Sequence, residues 1–277
     1  VRRRAIALLL PLCVLASCRT PDFGVALPAA DPRPAALLET LVERGAARAA
    51  LRARARLDLD APDVTLDRPQ RLAVARPARM RVEVLGLFDQ VAAVVVTDGD
   101  RYQVYDARRN AFEEGPVEPD LLWRVARVDL EPVEAVDLLL GAPRPGTGLR
   151  AGPARLFEDG AIAFERVDED GAVRERYRFD GAGRLAEAVR ADADGRLVWR
   201  ARFDDYRGVA AAAGPDEEPF AHEVSLEFPR VDAKVRLVFK HVVLVDDLPD
   251  ALFSLRRPAG AGPSAAVRAA VSGARAR

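Results

Sequence analysis

The 277 residues contain only two cysteines, Cys13 and Cys18, both near the start. Whatever folds beyond them has no thiol, which excludes disulfides, thiolate metal sites and cysteine nucleophiles there. Histidine is almost as scarce, with His222 and His241 alone, and Met80 is the single methionine. The side chains that most often act as nucleophiles, proton shuttles or metal ligands are therefore nearly absent, and no enzyme, metal or cofactor is expected. Lysine is confined to Lys234 and Lys240, so almost all of the 42 bases are arginine, set against 43 acids. A formal charge of −1 offers no basic face for nucleic acid. The arginine and alanine bias is what a GC-rich genome produces, so single arginines carry little functional information. Also missing is an apolar run of the ~20 residues that a membrane-spanning helix needs.

The N-terminus carries a different signal. Arg2, Arg3 and Arg4 form a basic segment, Ala5 to Leu15 form a short apolar core, and Leu15-Ala16-Ser17-Cys18 closes it. Small residues leading directly into a cysteine are the pattern of a bacterial lipoprotein signal. The reading is a signal peptide over 1–17 and a mature chain starting at Cys18, whose thiol takes diacylglycerol and whose amine takes an acyl chain. Beyond it, Pro21, Pro28, Pro32 and Pro34 mark a tether over 18–34. Residues 35–258 read as one domain, and the Ala/Gly/Pro/Ser-rich 259–277 as a disordered tail.

Within the domain the period is mostly two. Leu37, Leu38, Leu41 and Val42 first share a helical face after Pro34. Leu51, Ala53, Ala55, Leu57 and Leu59 then alternate with Arg52, Arg54, Arg56, Asp58 and Asp60, a strand with one apolar face. Strands follow over 70–75, 79–85, 91–96, 102–105 and 111–114. Two helical segments open at Pro119 and Pro132, the second closed by Gly141 with Pro143 beyond it. Short strands resume from Arg155, separated by Asp159-Gly160, Asp168 to Gly171, Asp180 to Gly183 and Asp192 to Gly195. Longer strands over 223–228 and 234–245 and a last one over 252–256 complete the count. The fold expected is mainly β: an open antiparallel half-barrel of about eleven strands covered by a few short helices. A curved sheet under a loosely packed helical lid leaves a concave apolar pocket suited to acyl chains.

The order of lipoprotein signal, helix, long alternating strand, "PARMRVEVLGLFDQVAAVVVTDG", "VEAVDLLLGAP", hairpins and "FSLRRPAG" resembles the LolA/LolB superfamily, and most of all LolB-like outer-membrane lipoproteins. The resemblance covers most of 35–258 through patterns of small and apolar residues. It implies a monomer, anchored on the periplasmic face of the outer membrane, that receives lipoprotein acyl chains from a periplasmic LolA-like carrier and assists lipoprotein localisation or insertion. Arg19 after Cys18 agrees with outer-membrane sorting. The acyl-binding cavity would be formed by Leu57, Leu59, Val82, Val84, Val94, Val96, Trp123, Val136, Leu139 and Leu140. Leu85, Leu87 and Phe88 occupy the place of the family's membrane-insertion loop. The alternative, that Leu87 and Phe88 pack under the sheet edge, stays open, as does Trp123 as plain core. A lid-locking arginine could be matched to Arg54, Arg56 or Arg81. The long Asp/Gly-rich hairpins over 158–204 depart from a compact LolB.

Other readings are weaker. The Asp168 and Asp192 turns lack the spaced oxygens and closing glutamate of a calcium loop. His241 with Asp246 and Asp247 has no accompanying nucleophile elbow or zinc-binding helix, which leaves a periplasmic hydrolase poorly supported. Arg268, Arg275 and Arg277 are too sparse for a lipid-binding basic patch. A structural or interaction lipoprotein on the same scaffold is the main alternative function.

Overall fold

The computed structural model describes residues 23–212 and 217–263; the signal segment, Cys18 and the arginines of the far C-terminus lie outside them. In chain order the elements are β1 (Val25–Ala26), α1 (Arg33–Ala47), β2 (Ala50–Ala61), β3 (Val64–Ala75), β4 (Arg79–Leu85), β5 (Val91–Thr97), β6 (Arg101–Asp106) and β7 (Ala111–Pro116). Then come α2 (Leu121–Ala126), α3 (Pro132–Leu139), β8 (Arg150–Leu156), β9 (Ile162–Val167), β10 (Val173–Phe179), β11 (Leu185–Ala191), β12 (Leu197–Ala210), β13 (Glu217–Phe228), β14 (Ala233–Val245) and β15 (Gly262–Pro263). All fifteen strands join one sheet in the order β1-β8-β9-β10-β11-β12-β13-β14-β2-β3-β4-β5-β6-β7-β15, and it does not close.

The strand number exceeds the expected eleven, and two of the fifteen strands lie in segments expected to be unstructured. Val25 pairs with Leu156, so the tether expected over 18–34 is pinned to one sheet edge. Gly262 and Pro263 run parallel to Ala111 and Phe112 at the other edge, within the segment expected to be a disordered tail. The strand expected over 252–256 is absent; a short 3-10 turn at Asp250–Phe253 stands there.

Turn chemistry sets the meander. The four hairpins between β8 and β12 each place glycine (160, 171, 183 or 195) at positive φ, where a Cβ would be strained. In each, the aspartate carboxylate accepts main-chain N–H groups of its own turn, as Asp180 Oδ1 does from Ala182 and Arg184 at 2.9 Å. Those oxygens are occupied by the turn itself.

Inward-facing side chains from most of the strands between β2 and β14 and from α1, α2 and α3 form one apolar cluster, so the sheet curls around the helices. The outer face is covered only in part. After β14 the chain crosses the back of β2 to β6 as a strap, packing Leu248 and Phe253 on Ala50, Ala73 and Ala75. Arg81 Nη1 donates to the Leu252 carbonyl (3.1 Å) and the Leu255 N–H to Gln103 Oε1 (2.6 Å).

Candidate functional site: an apolar cavity and an exposed tip

The concave side of β2 to β5 and of β13 and β14 does not meet the helices everywhere. A cavity of about 910 Å³, counting its open mouth, remains between these strands, α2, α3 and the segment joining them. Its sheet wall includes Leu57, Leu66, Leu72, Met80, Val82, Val84, Val95, Leu226 and Leu237; its lid side includes Leu122, Val125, Val128, Leu130, Leu138 and Leu139. Cross-strand pairing explains the wall. Leu72 stands opposite both Ala53 and Val82, and Val82 opposite Val95, so one row of the concave face is aliphatic across four strands.

Gln70 interrupts this wall. It lines the cavity, is only 1% exposed, and pairs across the sheet with Ala55 and Val84. Neither its amide nitrogen nor its amide oxygen has a hydrogen-bond partner among the described residues. Burying such a group unpaired costs on the order of 1–3 kcal/mol.

Four of the side chains expected at the cavity line it: Leu57, Val82, Val84 and Leu139. Leu59, Val136 and Leu140 are fully buried in the surrounding core without lining it. Val94 and Val96 stand opposite Glu83 and Arg81 on the other face of the sheet, contrary to expectation. They are buried there because the C-terminal strap covers that face. Trp123 is also misplaced: it is half-buried under the Arg127 guanidinium, 5.1 Å from the ring centroid, while Leu122 and Val125 of the same helix turn inward.

The two inner helices are held unequally. Glu131 and Glu134 form a capping box at the start of α3, and Glu134 also accepts from Arg190 Nη1 (2.5 Å) and Trp199 Nε1 (3.3 Å). The buried Asp137 pairs with Arg76, and Arg144 Nε lies 3.5 Å from its second oxygen. Burial, with Arg144 and Arg48 nearby, pushes the Arg76 guanidinium down to about 10, still charged at neutral pH. Helix α2 is tied to the sheet hairpin through Arg127 and Asp63 (2.8 Å), a more exposed pair. None of the three arginines matched to a lid lock reaches a helix. Arg54 pairs with Asp89, Arg56 with Asp67, and Arg81 with Glu83, all on the outer face or rim.

Beyond Val84 the chain leaves the cavity wall and makes a tight turn. Leu85 is buried, whereas Leu87 is 78% and Phe88 95% exposed. The reading in which Leu87 and Phe88 pack under the sheet edge is therefore excluded, and Leu85 belongs to the core rather than the tip. Phe88 and Asp89 adopt positive φ (59° and 61°), a conformation bulky residues rarely take. The turn is fastened by Arg54 Nη2 to Asp89 Oδ2 (2.6 Å), which holds the Asp89 carboxyl below the usual carboxylate range.

The histidines do not assemble a reactive pair with the aspartates that follow β14. His222 Nδ1 lies 3.0 Å from the Phe220 carbonyl, His241 is exposed, and Asp247 is engaged by Arg79 at 2.9 Å. Among the described residues no helix is long and apolar enough to cross a membrane.

An open, almost wholly antiparallel sheet curled around short helices, with an apolar cavity between them, defines a half-barrel rather than a closed barrel or sandwich. Solved structures of this kind resemble the chain. A DUF1329 family protein from Desulfovibrio piger superposes with a TM-score of 0.50 at 14% identity, over 81% of this chain and 98% of that one. An outer membrane lipoprotein-sorting protein domain from Vibrio parahaemolyticus gives 0.49 at 16% identity (78% and 95%). LolA superfamily protein NE2245 from Nitrosomonas europaea gives 0.47 at 12% identity (79% and 97%). The likeness is one of fold. No family model and no curated protein matches the sequence.

Proposed function

We propose that this chain is a non-catalytic, lipid-anchored envelope protein that holds acyl chains in the cavity between sheet and helices. On this reading it assists lipoprotein localisation or insertion at the outer membrane, receiving chains from a periplasmic LolA-like carrier. The observation that carries the proposal is the cavity wall: aliphatic side chains from six strands and two helices, with Gln70 the one polar exception. Such a wall selects for apolar surface rather than for a pattern of charges. The exposed Leu87-Phe88 tip, three to four residues beyond the wall residue Val84, supports membrane contact next to the cavity. Acylation of Cys18 would supply the second attachment that stable anchoring requires. Transfer then needs no covalent chemistry, only successive apolar surroundings of increasing depth.

The test is binding of a pyrene-labelled acyl ester to the chain carrying Cys18→Ser, with mass spectrometry of lipids extracted from the native protein. Saturable binding at micromolar concentration and co-purified acyl lipids are expected. No binding, or an empty cavity with a tightly held protein partner, would overturn the proposal in favour of a structural or interaction lipoprotein.

A further inference from the structure

The one polar side chain in the cavity is the feature that the proposed function does not use. In the alternating pattern of β3, Gln70 occupies an inward position between the exposed Arg68, which stands opposite Leu57, and the buried Leu72. Its neighbours across the sheet on that face are Ala55 and Val84, and beyond them Phe239 and Ala93. None of these four can hydrogen-bond through its side chain. The amide therefore lies in the cavity wall with nothing to bind, its donor and its acceptor both unpaired among the described residues. An aliphatic residue would fit the same wall, whose other lining side chains are all apolar.

We propose that Gln70 is a specificity residue for the ligand's polar linkage, and that the preferred occupant is an acyl chain attached through an amide. This rests on the acyl-binding reading above. A carboxylamide side chain offers N–H donors and a carbonyl acceptor, so its complement is a group that both accepts and donates. A secondary amide does both. An ester accepts only, and would leave the glutamine oxygen bare. A carboxylate would need a countercharge; among the described residues no charged side chain lines the cavity, and Arg68, the next residue on that face of β3, is exposed and does not line it. Gln70 thus discriminates between neutral linkages that differ by one N–H against O, while the aliphatic wall takes the chain itself. Rejection of an analogue that lacks a required hydrogen bond is the strongest form of small-ligand selectivity, because the unpaired group stays buried in the complex.

The experiment compares N-methylpalmitamide with methyl palmitate, which differ at that one position, by displacement of the pyrene probe from wild type and from Gln70→Leu. The amide costs more to desolvate than the ester, so the informative quantity is the change in their affinity ratio between the two proteins. That ratio is expected to favour the amide about tenfold more in wild type than in Gln70→Leu, the value of one recovered hydrogen bond. Gln70→Met serves as a second apolar variant of similar length, and thermal unfolding of both checks that the fold is kept. An unchanged ratio would overturn the assignment of Gln70 while leaving the acyl cavity standing. Failure of either ligand to displace the probe, or of the probe to bind, would overturn the cavity reading and this proposal together.

Discussion

Replacing both tip residues, Leu87→Ser with Phe88→Ser, separates membrane contact from folding. Both side chains are almost wholly in solvent in the free protein, so folding draws little from them and unfolding free energy should change by no more than about 0.5 kcal/mol. Transfer of a leucine or phenylalanine side chain out of water is worth about 1.5–3 kcal/mol each. With 78% and 95% of their surface still available, the pair can contribute about 3–5 kcal/mol on entering a bilayer. Partitioning of the Cys18→Ser chain to vesicles should fall by roughly two to three orders of magnitude. Because the contribution is apolar, the loss should be similar at low and high salt. Phe88→Gly adds a control in the opposite direction. It relieves a left-handed phenylalanine, about 1–2 kcal/mol, against about 0.5–1 kcal/mol for glycine's greater freedom in the unfolded chain. Stability should hold or rise slightly while partitioning drops. Vesicle flotation and urea unfolding measure the two quantities. A double variant that floats with vesicles as wild type does would refute the role of the tip. A loss of several kcal/mol in stability would refute the premise that these side chains are idle in the fold.

Other outcomes follow from the same geometry. Val82→Trp places bulk into empty cavity space, so probe affinity should drop at least about tenfold while urea stability falls by less than about 2 kcal/mol. Asp137→Asn leaves the Arg76 guanidinium partly buried without its countercharge. It should cost about 2–4 kcal/mol in urea unfolding, moderated because Arg76 still donates to the Arg48 and Ala142 carbonyls. Burial pushes the Tyr206 phenol up to about 12, and its hydroxyl donates to the Leu185 carbonyl at 2.6 Å. The unfolded phenol ionises near ~10, so the stability is fully present below that pH and lost as pH rises towards the folded value. On the order of 2 kcal/mol should disappear across that window. Tyr206→Phe should flatten this part of the pH–stability curve, and an unchanged slope would show that Tyr206 does not contribute to it.

The local features of this protein were legible from residue patterns. Alternation in Leu51 to Asp60 sets a strand with one apolar face, Pro132 and Gly141 bound α3, and the Asp–Gly turns fix the hairpins. Each depends on neighbours a few residues apart, which is the range over which side-chain period and backbone preference act. The exposed Leu87 and Phe88 could be suspected from their place between charged strands, but their exposure could not be decided. That depended on whether any distant element covered the turn.

What lies far apart in the chain was decided only by tertiary structure. Val91 to Val96 is apolar on both faces, so period alone cannot separate Val95 in the cavity from Val94 and Val96 behind it. The separation comes from a strap formed more than 150 residues later, which buries the outer face. Trp123 is a comparable case, since a short helix presents it to Arg127 rather than to the sheet. Gln70 carried a visible signal, a polar residue in an inward slot two residues before Leu72. Its meaning emerged only when the fold set Ala55 and Val84 beside it and left its amide unpaired. Sequence alone thus determined most of the strands, turns and helices inside the domain, because those follow from local chemistry, but not the edge strands β1 and β15 or the strap after β14. The curl of the open sheet decided which apolar faces meet and where they fail to meet, because burial depends on contacts that no local pattern encodes.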